Sequence, residues 1–92
     1  MDYEYYAAIA RVVDARHIDR YRVWIAFNDG FAGEVDLADT LEGALFEPLK
    51  DVEYFKKFKI EDCTLTWDNG ADYGPDYLWL LVKQQQEVAV AK

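Results

Sequence analysis

The chain has 92 residues, of which 52% are hydrophobic and 16% are aromatic. That length suits one domain with one modest core, and the composition excludes an intrinsically disordered protein. The 18 acidic residues outnumber the 10 basic residues and give a net charge of -8, which repels phosphate backbones. We therefore expect no direct nucleic-acid binding. The same charge would speed encounter with a basic protein, although the more common role of an acidic surface is to keep a protein in solution.

Cysteine and histidine each occur once, as Cys63 and His17. A single cysteine cannot form an internal disulfide, and one cysteine with one histidine cannot build a standard structural zinc site. No apolar run approaches the roughly 20 residues of a membrane span, and the N-terminus is acidic where a signal peptide is basic. We expect a cytoplasmic protein with no metal, no cofactor and no membrane association.

Two β-hairpins are predicted in the first part of the chain. The β-rich segment 11–16 and the alternating apolar residues of 21–27 predict two strands joined around residues 18–20. The Asn-Asp-Gly sequence at 28–30 tolerates positive φ angles and predicts a tight reversal into a third strand over 31–37.

Short helices and a second strand pair are predicted in the middle of the chain. A helical turn is expected near Leu41, and Asp51 is placed to cap a helix over 52–58. Segments 59–61 and 64–67 are rich enough in β-formers to predict two more short strands.

The last helix is the strongest pointer to an interaction surface. It begins at Pro75 or Asp76. Its first turns, 77–82, are apolar all round, which a surface helix cannot bury on one side. This stretch either inserts deeply into its own domain or meets a second chain. The candidate interface consists of Tyr77, Leu78, Leu81 and Val82, joined by the N-terminal tyrosines Tyr3, Tyr5 and Tyr6.

Together these elements predict an α+β fold, with a small antiparallel β-sheet built from hairpins and packed against two or three helices that include a C-terminal helix. The chain is interpreted as one domain over 1–92, with its core at about 10–82 and a helical tail at 83–92.

No catalytic constellation is recognisable. The sequence contains no serine, and cysteine catalysis would require Cys63 and His17 to meet although neighbouring acidic residues disfavour the thiolate. The segment 68–72 resembles a calcium loop only faintly, because it lacks the ligand before the glycine and the later bidentate glutamate. Arg11, Arg16, Arg20 and Arg22 are the one cluster that could attract nucleic acid. We expect a protein that is not an enzyme.

The order of several motifs resembles a known family. These motifs are Arg-Val-Val-Asp at 11–14, Phe-Asn-Asp-Gly at 27–30, Gly-Glu-Val-Asp-Leu at 33–37, Phe-Glu-Pro-Leu at 46–49 and Trp-Asp-Asn-Gly-Ala-Asp at 67–72. Over about residues 10–81 the chain resembles the bacterial family called domain of unknown function 2442. Asp68 stands where the signature usually has proline, which we expect to loosen the turn before Asn69.

The resemblance implies a small α+β domain, found alone or ahead of a helix-turn-helix domain and often encoded beside another small protein. No catalytic activity is established for the family. The family signature marks four candidate ligand or signature residues, Trp67, Asn69, Gly70 and Asp72. It also marks Asp29, Gly30, Asp36 and Pro48, all of which have sufficient structural roles in turns, caps and bends.

Two functional hypotheses follow. The first is a non-enzymatic interaction or regulatory module, antitoxin-like, that binds a basic small protein encoded nearby or forms a homodimer through its last helix. The alternative is a small-ligand-binding domain or enzyme that uses the loop from Trp67 to Tyr73 beside a cleft.

Overall fold

The computed structural model describes residues 7–90, with side chains through residue 87. The α+β fold predicted from the sequence is confirmed. The strands and helices are, in chain order, β1 (Val12–Asp19), β2 (Arg22–Phe27), β3 (Ala32–Asp36), α1 (Val52–Phe55), β4 (Lys59–Glu61), β5 (Thr64–Thr66) and α2 (Pro75–Val90). Two short 3-10 helices, Ala38–Thr40 and Glu47–Lys50, lie between β3 and α1.

The first three strands form an antiparallel sheet in the order β1-β2-β3, as the two predicted hairpins require. Gly30 has a φ of 90°, which glycine adopts without steric cost. The turn is closed by the Asn28 to Phe31 region, where the Phe27 N–H donates to the Phe31 carbonyl at 2.8 Å. In this strand order β3 lies at the edge of the sheet: one side of β3 pairs with β2, and no strand in residues 7–90 pairs with its other side.

The second strand pair forms a separate sheet of β4 and β5 and does not extend the first one. Asp62 and Cys63 connect the two strands with φ angles of 52° and 65°, the conformation of a two-residue hairpin turn. The Cys63 carbonyl accepts a hydrogen bond from the Val12 N–H at 2.8 Å. This bond joins the turn to the start of β1.

Helix α1 is shorter than the predicted segment 52–58. Its N-cap is confirmed, because the Asp51 carboxylate accepts the Glu53 N–H at 3.0 Å. The Phe55 carbonyl, which a longer helix would use in its next turn, accepts the Trp67 indole N–H at 2.8 Å. The helix thus ends where its last carbonyl bonds Trp67, a residue distant in the chain, and the local sequence does not reveal this contact.

The core lies between the inner face of the first sheet and α2. Val23, Ile25 and Val35 from the sheet and Leu78 and Val82 from α2 are all almost completely buried. Helix α2 crosses β3 at Gly33, where a Cβ atom would approach the Val82 Cγ1 atom to 2.9 Å. Glycine at this position allows the helix to pack closely on the strand.

Candidate functional site

The family-signature loop is a tight hairpin that continues β5. The Gly70 N–H donates to the Trp67 carbonyl at 3.0 Å, and the Trp67 N–H donates to the Ala71 carbonyl at 2.9 Å. Beyond the turn, Asp72 forms an antiparallel bridge with Thr66. Gly70 has a φ of 93°, so a side chain here would strain the turn.

Asn69 holds this turn to two other segments. Its Nδ2 donates to the Leu45 carbonyl at 2.8 Å, and its Oδ1 accepts the Ala71 N–H at 3.0 Å. Its own backbone N–H donates to the Tyr54 hydroxyl at 3.1 Å. The amide is therefore a structural junction between the loop before α1 and the turn.

Trp67 and Tyr73 are buried at the two ends of the loop. The Trp67 ring packs against Phe55 and Tyr73, with centroids 5.8 Å away in each case. The Tyr73 hydroxyl hydrogen-bonds with the Thr40 hydroxyl at 2.5 Å. Burial raises the pKa of Tyr73 to about 12, against the smaller lowering effect of the Thr40 hydrogen bond. Tyr73 therefore stays neutral across physiological pH.

The two aspartates of the loop have different surroundings. The Asp68 carboxylate lies 2.6 Å from the Lys59 Nζ on β4, and this hydrogen-bonded ion pair lowers the pKa of Asp68 and raises that of Lys59. Asp72 is exposed. Its carboxylate makes no hydrogen bond to another described residue. Among the signature side chains, Asp72 alone is therefore exposed without helping to hold the turn.

The predicted interface residues of α2 are divided between the core and the surface. Leu78 and Val82 are completely buried, and Leu81 packs partly against the core. Tyr77 is 46% exposed, and Leu80, which the sequence interpretation left out, is 39% exposed. Leu78 and Val82 must be removed from the predicted surface, because they fill the space between α2 and the first sheet.

Two large apolar side chains that α2 leaves exposed, Tyr77 and Leu80, adjoin a ring stack. Tyr77 lies one turn before Leu80, so both side chains lie on one side of the helix. The Tyr77 ring stacks on Tyr73 with a centroid distance of 6.2 Å and an interplanar angle of 9°. We call Tyr77, Leu80 and Leu81 the outer α2 face. The N-terminal tyrosines Tyr3, Tyr5 and Tyr6 lie outside the described residues.

Cys63 and His17 occupy different ends of β1. Cys63 is hydrogen-bonded through its carbonyl to Val12, and His17 lies five residues farther along β1, which corresponds to about 16 Å of extended chain. The His17 Nε2 is 2.9 Å from the Arg20 carbonyl oxygen, and its ring contacts Phe55. These positions do not assemble a nucleophile with a base.

Two of the four arginines in the cluster pair with carboxylates on the first sheet. The Arg22 guanidinium pairs with Asp19 at 2.9 Å and with Glu34 at 3.3 Å, and the Arg16 guanidinium lies 3.7 Å from Asp14. Carboxylates thus lie beside these two arginines and weaken the attraction of the cluster for phosphate groups.

The other family-pattern residues serve turns and packing. The Asp29 carboxylate accepts the Phe31 N–H and the Trp79 indole N–H, at 2.9 and 3.1 Å. The Asp36 carboxylate accepts the Ala38 N–H at 2.9 Å, and Pro48 lies in the first turn of a 3-10 helix. These contacts agree with the structural roles expected for turn and cap residues.

No group of three or more histidine, cysteine, aspartate or glutamate side chains in residues 7–90 could hold a metal ion. In the same part of the chain, no helix has the length and apolar character required to cross a membrane.

Comparison with known proteins gives one match. Residues 12–84 match the family model described as "Protein of unknown function (DUF2442)", whereas no curated protein and no solved structure matches the chain. The matched region begins with β1 and includes both sheets and most of α2. On this match, which spans most of the sequence and contains the signature at 67–72, the chain belongs to the DUF2442 family.

Proposed function

We propose that this chain is a non-enzymatic protein-interaction module of the cytoplasm, with a regulatory, antitoxin-like role, and that it binds a basic protein through the outer α2 face. The observation that carries the proposal is the exposure of Tyr77 and Leu80, one turn apart on α2. Large apolar side chains that remain exposed together are typical of contact surfaces.

The surroundings of these residues support a protein partner. Tyr77 is backed by the buried ring of Tyr73, which in turn contacts Phe46 with a centroid distance of 5.2 Å. The Tyr77 side chain is therefore held in place and loses little conformational entropy when a partner covers it. Leu80 opens onto a groove of about 370 Å³ that continues along the helix past Lys83, Gln84 and Glu87.

Charge supports a basic partner over a homodimer. Each copy carries a net charge of -8, so two copies repel each other at long range, whereas a basic protein is attracted and its encounter is accelerated. A small basic protein encoded beside this one is the partner that the family resemblance suggests.

No ligand site is proposed at the loop from Trp67 to Tyr73. Trp67 and Tyr73 belong to the core, and Asn69 is engaged by hydrogen bonds to Leu45 and Ala71. A binding loop needs polar groups that are free to meet a ligand, and here only Asp72 meets that requirement.

The test is co-purification of the tagged chain from its native cell extract, followed by affinity measurement with the purified partner. We expect a basic partner in a fixed ratio, and the Tyr77→Ser/Leu80→Ser variant should weaken binding at least about 100-fold, as expected for two central apolar contacts. The matched control is Val13→Ser, since Val13 is 59% exposed on β1, away from α2.

Two outcomes contradict the proposal. One is a partner that binds the Tyr77→Ser/Leu80→Ser variant and the wild-type chain equally well. The other is a monomeric protein, established by light scattering, that captures no basic partner. A self-associating protein whose dimer is lost in the same variant would assign the surface to a homodimer.

A further inference from the structure

Side chains from α2 cover part of the outer edge of β3, the edge that is not paired with β2. The Gln85 amide makes two bonds with Asp36, accepting its N–H at 2.9 Å and donating to its carbonyl at 3.1 Å. The Gln86 Nε2 donates to the Ala32 carbonyl at 2.9 Å. We call Gln85 and Gln86 the glutamine clamp. Gln85 bonds Asp36 through one donor and one acceptor, as a backbone peptide of an adjacent strand would.

The clamp leaves the centre of the edge open. β2 and β3 pair through the odd-numbered residues of β3 and their flanks, as shown by the bonds from Phe27 to Phe31 and from Leu37 to Tyr21. The N–H and C=O of Glu34 consequently point away from β2. No other described residue bonds these two groups, and they face an open groove of about 400 Å³. The backbone groups of Glu34 are thus unpaired, whereas Gln86 and Gln85 bond those of Ala32 and Asp36 on either side. Unpaired edge groups of this kind are where an added strand can begin to pair.

The charges beside this edge indicate the partner. The outer-face side chains there are the carboxylates of Asp19, Glu34 and Asp36 and one guanidinium, Arg22. A second copy paired along the whole edge would put Glu34 opposite Glu34, and like charges directly opposite destabilise a strand pair. A strand with lysine or arginine at the positions facing Glu34 and Asp36 meets opposite charges instead.

We propose that the β3 edge is a docking site for a basic extended segment of another protein, which adds to the sheet as a fourth strand, and that the glutamine clamp holds this site closed. The side-chain amides yield to the incoming backbone, which replaces their bonds with Asp36 and Ala32 by equivalent ones. The site is separate from the outer α2 face, so either surface can fail its test without affecting the other.

The test measures binding of a hexapeptide of alternating lysine and valine by NMR, with the backbone amide of Glu34 as the reporter. We expect site-specific shifts at Glu34 and its neighbours in the wild-type chain. The Gln85→Ala/Gln86→Ala variant should bind about 3- to 10-fold more tightly, because opening the clamp increases the fraction of binding-competent molecules. Gln84→Ala, an exposed neighbour on the same helix, is the matched control and should bind as the wild type does.

Two further variants approach the same site differently. Gln86→Ala alone removes the bond to the Ala32 carbonyl and leaves Gln85 on Asp36, so it should strengthen binding less than the double variant does. Glu34→Pro removes the central N–H donor, a change that an edge strand tolerates, and should abolish binding.

Several results would overturn the proposal. They are equal binding of a glutamate–valine hexapeptide, shifts that map away from β3, unchanged affinity when the clamp is removed, or self-association of the Gln85→Ala/Gln86→Ala variant in place of peptide binding. The last result would make the clamp a barrier against a second copy.

Discussion

Cys63 adopts a backbone conformation that favours glycine. Its φ of 65° follows the 52° of Asp62 in the turn between β4 and β5, and L-residues with a Cβ pay a steric cost there. Cys63→Gly should therefore raise the free energy of unfolding by about 0.5–1 kcal/mol, measured by urea denaturation. Cys63→Ala keeps the Cβ atom and is the control. If alanine stabilised as much as glycine, removal of the thiol would be the cause.

The signature residues Asn69 and Asp72 should differ sharply in what they contribute to stability. Asn69→Ala removes the bonds to Leu45 and Ala71 and should lower the free energy of unfolding by about 1–3 kcal/mol. Asp72→Ala, on an exposed side chain, should change it by no more than about 0.5 kcal/mol. Both values come from chemical denaturation. A large loss for Asp72→Ala would indicate a structural role for this carboxylate that its contacts do not reveal.

Some residue roles follow from local sequence and others do not. Asp51 is recognisable as an N-cap because its bond to Glu53 spans only two residues. The glutamine clamp could not be predicted, because Gln85 meets Asp36 across 49 positions of the chain. The same holds for Trp67, whose bond to Phe55 depends on how α1 and β5 pack.

Helix α2 has one buried and one exposed side, and substitutions should separate them. Leu78→Ala opens a cavity in the core and should cost about 2–5 kcal/mol of unfolding free energy, a large part of the stability of a small domain. Leu80→Ala, two residues later on the helix and 39% exposed, should cost less than about 1 kcal/mol. Thermal or urea denaturation measures both, and equal losses would mean that Leu80 is covered in solution.

The ion pair between Lys59 and Asp68 ties β4 to the signature turn and should be visible in a titration. Because Lys59 lowers the pKa of Asp68 in the folded state, the pair favours folding above the unfolded pKa, and this contribution is lost as the pH falls through the folded pKa. Carboxyl NMR should show a higher pKa for Asp68 in Lys59→Gln than in the wild type. An identical midpoint in both proteins would show that the pair does not persist in solution.

Hairpins were easier to predict than the placement of the last helix. The segment 28–30 specifies its reversal locally, because asparagine, aspartate and glycine favour the turn whatever lies elsewhere. The apolar run at 77–82 fits both a deeply inserted helix and an interface. The side of the helix that faces the sheet depends on Gly33, because the missing side chain at that position lets Val82 pack closely against β3. Tyr77 is therefore exposed, as a contact surface requires, whereas Leu78 and Val82 are buried in the core.

The fold class could be predicted from pattern because periodicity and turn chemistry act along the chain. The division into two sheets could not be predicted. The sequences of β4 and β5 would suit a separate strand pair and an extension of the first sheet equally well. The proposed contact surface was still harder to predict, because it consists of apolar residues that the core leaves exposed, and only packing determines which residues these are.

The net charge of -8 sets a final expectation for the molecule's stability. The exposed ion pairs, such as Lys50 with Glu47 and Lys56 with Glu53, each contribute about 0–1 kcal/mol and are weakened by salt. Repulsion among the excess carboxylates opposes the compact state and is screened by the same salt. Because acidic residues outnumber basic ones by 18 to 10, relief of repulsion should dominate. The thermal midpoint should rise between about 20 and 300 mM NaCl, measured by circular dichroism at neutral pH. A falling midpoint would mean that the ion pairs outweigh the net repulsion.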